Sequence, residues 1–138
     1  MANKFIHFVI YGLINIIRIF RLTELYQPTF NPNNITFARN KLYARESFER
    51  IEIIAVHIDL KKISTYLDIG SQLGYFVYKI NERNNAILAT GIEVNEISHM
   101  YSELIGILNK TKNVSFVNAE LTSETAYDMP CYDLVSFL

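Results

Sequence analysis

The sequence predicts an α/β fold, a parallel sheet covered by helices, and three observations carry that prediction. Four apolar-cored segments of strand character, at 64–69, 86–94, 114–119 and 132–138, alternate with stretches of helical periodicity. The first strand runs into a glycine-bearing turn, Gly70 to Gly74, from which a helix departs. An acidic residue, Glu93, closes the second strand 23 residues after Gly70, the interval of one strand–helix–strand step.

Each element has its own signal. Lys4 opens an apolar run that Arg18 and Arg21 close, giving a helix over about residues 4–22. The run falls short of the roughly twenty apolar residues of a membrane span, and no small-residue cleavage site follows it. On a helical wheel Phe5, Phe8, Val9, Gly12, Leu13, Ile16, Ile17 and Phe20 share one face, with Ile6, Ile10 and Ile14 spilling round it. Three outcomes fit such a helix: packing on the protein, peripheral contact with a membrane surface through residues 4–21, or an anchor. Pro28, Asn31, Pro32, Asn33 and Asn34 form a turn-rich linker, which divides an N-terminal segment, 1–34, from an α/β domain, 35–138. Residues 44–58 read as an amphipathic helix with Phe48, Ile51, Ile54 and Ala55 at helical spacing. The stretches 73–83 and 96–111, between successive strands, are helical by the same criterion.

Composition narrows the class of protein. A chain of 138 residues, half apolar and one-fifth charged, suits one folded domain. Thirteen basic and 14 acidic residues leave a net charge of −1, which does not recommend nucleic acid as a partner. The single Cys131 favours a reducing, cytoplasmic compartment. His7, His57 and His99 are scattered without metal-ligand spacing, so a zinc site has no support. The segment 132–138 is apolar enough for a central strand, yet the sequence stops at Leu138. A longer polypeptide with further strands is the first expectation. A short protein whose edge is covered by the N-terminal helix, or by self-association through 132–138, is the second.

The glycine turn, LDIGSQLGYF at 67–76, is the candidate site. Gly70 sits at the turn and Gly74 in the first turn of the helix, where a side chain would obstruct strand or ligand. A dinucleotide fingerprint requires glycines in the order G-x-G-x-x-G, and here Gln72 and Tyr75 stand at the second and third places. Asp68 adds a negative charge just before the turn, which suits a cationic ligand better than a pyrophosphate. Glu93 is placed to accept the two hydroxyls of a ribose, and Ser71 is a polar loop contact.

DIGSQLGYF resembles the first motif of class I methyltransferases, and GIEVNE at 91–96 resembles their second, which carries the ribose-binding acid. NVSFVNAEL at 113–121 is similar to the third, placing Glu120 near the adenine amine, and YDLVSFL resembles the fourth strand. The resemblance covers residues 60–138. It implies a Rossmann-like sheet, preceded by N-terminal helices and incomplete, with S-adenosyl-L-methionine as cofactor. It also implies methyl transfer to a small-molecule or glycan acceptor. Asp68, Gly70, Ser71, Gly74, Glu93 and Glu120 are the cofactor-binding set. Two features depart from the family: its third motif usually carries Asp, and its sheet continues through three further strands. A non-catalytic nucleotide-binding or degenerate interaction fragment is the alternative function.

Overall fold

A computed structural model describes residues 2–19 and 41–137, so the expected linker around Pro28 and Pro32 lies outside the described residues. Two helices, α1 (Ala2–Ile19) and α2 (Lys41–His57), precede an alternating series. That series is β1 (Thr65–Ile69), α3 (Tyr75–Arg83), β2 (Leu88–Glu93), α4 (Glu96–Asn109), β3 (Val114–Asn118), α5 (Ser123–Tyr127) and β4 (Leu134–Phe137). Every strand falls inside its expected segment. The one-turn helix α5 was not expected. It is held by a reciprocal capping box between Thr122 and Thr125, and its residues are all exposed.

The strands form one parallel sheet in the order β3-β2-β1-β4. From β1 to β3 the chain steps in one direction, so right-handed crossovers set α3 and α4 on the same face. It then returns across the sheet to place β4 on the other side of β1. The reversal lies between β1 and β4, and the carboxyl ends of strands at such a point are where open α/β sheets bind ligands.

Side chains alternate between the two faces of the sheet. Tyr66, Ala89, Val114, Phe116 and Leu134 join the core beneath α3 and α4, together with Leu73, Val77, Ile80, Tyr101 and Ile105 from the helical side. The alternating positions Leu88, Val117, Val135 and Phe137 face away and are exposed. Among the described residues β4 stands at one edge of the sheet. Tyr78, buried, donates its hydroxyl to the Ser102 carbonyl at 2.5 Å, which fixes α3 against α4. α4 itself starts at Asn95, whose side chain accepts the Ser98 amide at 2.9 Å.

α1 packs on α4. The buried side chains are Ile10, Ile14 and Ile17, members of the same core as the sheet. Burial of each contributes about 1.5–3 kcal/mol. This differs from the wheel: Ile10 and Ile14, which spilled round the main apolar face, pack together with Ile17 from that face, while Ile6, Phe5, Phe8, Val9, Leu13 and Ile16 are exposed. Among the described residues no helix is long and apolar enough to cross a membrane.

Candidate functional site

Five residues join β1 to α3, and their backbone dictates the side chains they tolerate. Gly70 and Gly74 have φ of +72° and +74°, a region that costs a residue with a β-carbon roughly 1–2 kcal/mol. A Cβ on Gly74 would also stand 2.4 Å from Cζ of Phe116 on β3. The helix begins two residues later than the sequence suggested, so Gly74 is its left-handed N-cap and not part of its first turn. A left-handed residue cannot continue an α-helix. Its bareness serves the contact with β3.

Four of the loop's five amides are already committed. Those of Gly70 and Ser71 both donate to the Ile92 carbonyl at 2.9 Å, and that of Gly74 to the Ser71 carbonyl at 2.8 Å. The Gln72 amide donates to Oε2 of Glu93 at 2.8 Å. A loop that cradles phosphate needs these groups free and converging on the ligand. This loop has turned three of them onto β2 and the fourth onto its own backbone instead.

Glu93 is buried at the end of β2, and its second oxygen, Oε1, accepts the Asn95 amide at 2.7 Å. The acid thus ties the glycine loop to the turn that starts α4. Each carboxylate oxygen retains a further lone pair for a ligand hydroxyl. Ser71 is fully buried, and a Cβ on Gly91 would come within 2.6 Å of its Oγ. The missing side chain at Gly91 is what lets the loop settle on β2, so Ser71 lies against the strand beneath it.

Asp68 occupies the last inward position of β1, with no exposed surface. Ser136 of β4 sits opposite it in the parallel register and donates from Oγ to Asp68 Oδ1 at 2.6 Å. The Ser136 hydroxyl is in turn 2.6 Å from the hydroxyl of buried Tyr66. A proton on Ser136 can point only one way, so Tyr66 donates to Ser136 and Ser136 donates to Asp68. Oδ2 of Asp68 has no partner, and neither do the buried Ser71 Oγ and Gln72 Oε1. Burial pushes the Asp68 carboxyl up to about 6; the two hydroxyls restrain that rise, and the nearby charge of Glu93 adds to it. Burial likewise raises the Tyr66 phenol, which stays neutral and a donor.

Glu120 lies two residues beyond β3 on an exposed segment, where its carbonyl accepts from Thr125 Oγ1 at 3.4 Å. Asn118 is a positioning residue that sequence reasoning missed. Its Nδ2 donates to the carbonyls of Glu93 and Val94 at 2.8 and 3.1 Å, binding the ends of β3 and β2 together. An asparagine at the end of an apolar strand was its only signal. Ser136 and Tyr66 were missed as well: Tyr66 shares a strand face with Asp68, but Ser136, which links the two, lies 68 residues beyond Asp68.

A cavity of about 530 Å³ opens beside Ser136, lined by Arg50 and Ile54 of α2, Phe76 of α3 and Phe137 of β4. Another, of about 380 Å³, lies between the end of α4 and β3, lined by Ile107, Lys110 and Ser115 among others. The first adjoins the Asp68 chain of hydroxyls; the second has no titratable group of the loop in it.

Neither a family model nor a curated protein matches the chain. Solved structures do. The bifunctional kinase-methyltransferase WbdD is similar with a TM-score of 0.68 and 18% identity, over 88% of this chain and 27% of that one. The N-terminal domain of EvdMO1 with SAH bound gives 0.64 and 16%, over 98% and 53%. Coclaurine N-methyltransferase bound to N-methylheliamine and SAH gives 0.55 and 16%, over 80% and 30%. At these identities the likeness establishes the fold, the Rossmann-like sheet and helices of methyltransferase structures. The chain spans between 27% and 53% of the lengths of these three.

Proposed function

We propose that the chain is the cofactor-binding part of a methyltransferase, which moves the methyl group of S-adenosyl-L-methionine to a small-molecule or glycan hydroxyl. One observation carries this reading: four of the loop's five amides are committed, while one oxygen of the buried acid behind it is not. A pyrophosphate would find no free cradle of amides at Gly70, Ser71, Gln72 and Gly74. A cation would find an unpartnered carboxylate oxygen on Asp68. Sulfonium and ammonium groups both have the charge that such a site favours.

The roles of the chain's own residues follow. Asp68 receives the ligand's ammonium on Oδ2, with Ser136 and Tyr66 orienting the carboxylate through Oδ1. Gly70 permits the turn, and Gly74 with Ser71 seats the loop on the sheet. Glu93 offers its remaining lone pairs to ribose hydroxyls, and Glu120 reaches the adenine amine. The bound cofactor would supply an electrophilic methyl on sulfur, which the acceptor would attack in line with the departing thioether. Rate in such a reaction comes largely from alignment. The cavity beside Ser136 is the place for the acceptor, because it shares that serine with the Asp68 chain. The similarity to an enzyme structure that holds N-methylheliamine supports a small organic acceptor. The lone, exposed Cys131 supports a reducing cytoplasmic setting.

Calorimetric titration with S-adenosylhomocysteine and, separately, with NADH tests the proposal. Saturable binding of the first, abolished by Gly70→Arg, is the expected result. Binding of NADH alone would overturn the reading.

A further inference from the structure

We infer that α1 docks the protein on the surface of an anionic lipid bilayer. The helix has two apolar stripes and the fold uses one. Ile10, Ile14 and Ile17 are buried against α4, whereas the broader stripe of Phe5, Phe8, Val9, Gly12, Leu13 and Ile16 lies in solvent. Phe5 and Phe8 are 70% and 76% exposed, and nothing stands within 4 Å of where a Gly12 side chain would be. Soluble proteins scatter exposed apolar residues singly; a contiguous stripe of this kind marks a contact surface.

Charge decides the occupant. Before Glu24 the sequence carries Lys4, His7, Arg18 and Arg21 and no acidic residue, in a chain whose net charge is −1. The helix is therefore a cationic element on a slightly acidic protein. A second copy of α1 laid antiparallel on the stripe would bring the Lys4 end against the Arg18 end, and a parallel copy would pair like with like. No acid in either helix offsets that repulsion. An anionic headgroup layer does, and its acyl boundary takes the phenylalanines. The fold agrees: the buried stripe holds α1 against α4, and no described helix is long and apolar enough to span, so the exposed stripe would meet the interface from outside.

Co-sedimentation of the whole chain with phosphatidylcholine vesicles, with and without phosphatidylserine, tests this. The protein should pellet with the anionic vesicles, leave the neutral ones largely unbound, and be released by raised salt. Phe8→Asp should lower the partition coefficient on the order of thirtyfold, the worth of one buried phenylalanine. Arg21→Gln should lower it about fivefold, the share of one basic residue. Phe8 is exposed, so the melting temperature of Phe8→Asp should match the parent and separate lost docking from lost folding. Failure to pellet, or equal pelleting with both vesicle types, overturns the inference. So does a doubling of solution mass that Phe8→Asp abolishes, which would assign the stripe to a second copy. None of these readouts depends on the ligand of the glycine loop.

Discussion

Two aspartates join β1 to β4, one at each end of the strand pair, and their environments are opposite. At the amino end Asp133 is exposed, and its Oδ2 accepts the amides of Ser64 and Thr65 at 2.7 and 3.0 Å and the Thr65 hydroxyl at 3.2 Å. Those donors, the Ser64 amide foremost, hold its carboxyl below the usual aspartate value. At the carboxyl end Asp68 is sealed from solvent, has one donor on Oδ1 and nothing on Oδ2, and is pushed up to about 6. Asp133 is a clamp, complete in itself. Asp68 carries a charge that the fold does not neutralise, and such residues gather where proteins bind or react.

The largest effect that would break this contrast is expected from Asp68→Asn. A rise from 3.8 to about 6 means that ionised Asp68 costs roughly 3 kcal/mol at neutral pH. The sign follows from proton binding: between those values the folded state holds the extra proton, so stability from this group is greatest below 3.8 and is lost as pH rises through about 6. Asp68→Asn should therefore raise the unfolding free energy near pH 7.5 while weakening S-adenosylhomocysteine binding about tenfold or more. Chemical denaturation and calorimetry on the same variant measure both. A variant that binds as tightly as the parent would make Asp68 a mere buried acid.

Ser136→Ala comes next. It removes the donor from Asp68 and leaves the buried Tyr66 hydroxyl without its acceptor, a loss of about 1–3 kcal/mol in denaturation. Ligand affinity in the parent should fall as pH drops through about 6, since a protonated Asp68 no longer attracts a cation. In Ser136→Ala that midpoint should move upward, and Ser136→Thr should restore it. An unmoved midpoint with lowered stability would reduce Ser136 to packing.

Asp133→Ala should have the smallest effect. Thermal denaturation should show the melting temperature down by a few degrees at neutral pH. Calorimetry should show S-adenosylhomocysteine affinity unchanged. Because its carboxyl is held low, the stabilisation from Asp133 is present above the usual aspartate value and fades as pH falls below it. The two aspartates should thus push stability in opposite directions across the acid range.

Much of the fold was legible because its signals are local. The turn at Gly70 and the acid at Glu93 lie within one strand–helix–strand step, where spacing along the chain translates into position. Glu93's own contacts were less legible. Its spacing suggested a ligand acid, yet the carboxylate also holds Gln72 and Asn95, partners visible only once β2 lies beside the loop. Gly74 was correctly singled out as a place that excludes a side chain. What excludes it is Phe116, 42 residues later in the sequence.

The sequence alone determined which segments pair hydrophobic faces and in what order they alternate, because a period of two or of 3.6 is a property of neighbours. It also determined that an acid precedes the glycine turn. Only the tertiary structure decided that β4 returns beside β1, setting Ser136 and Tyr66 on Asp68, because parallel register is fixed by residues some 70 positions apart. It alone decided, too, which stripe of α1 is buried. A helix apolar on most of its surface has no preferred face of its own, and the fit of Ile10, Ile14 and Ile17 on α4 selects one.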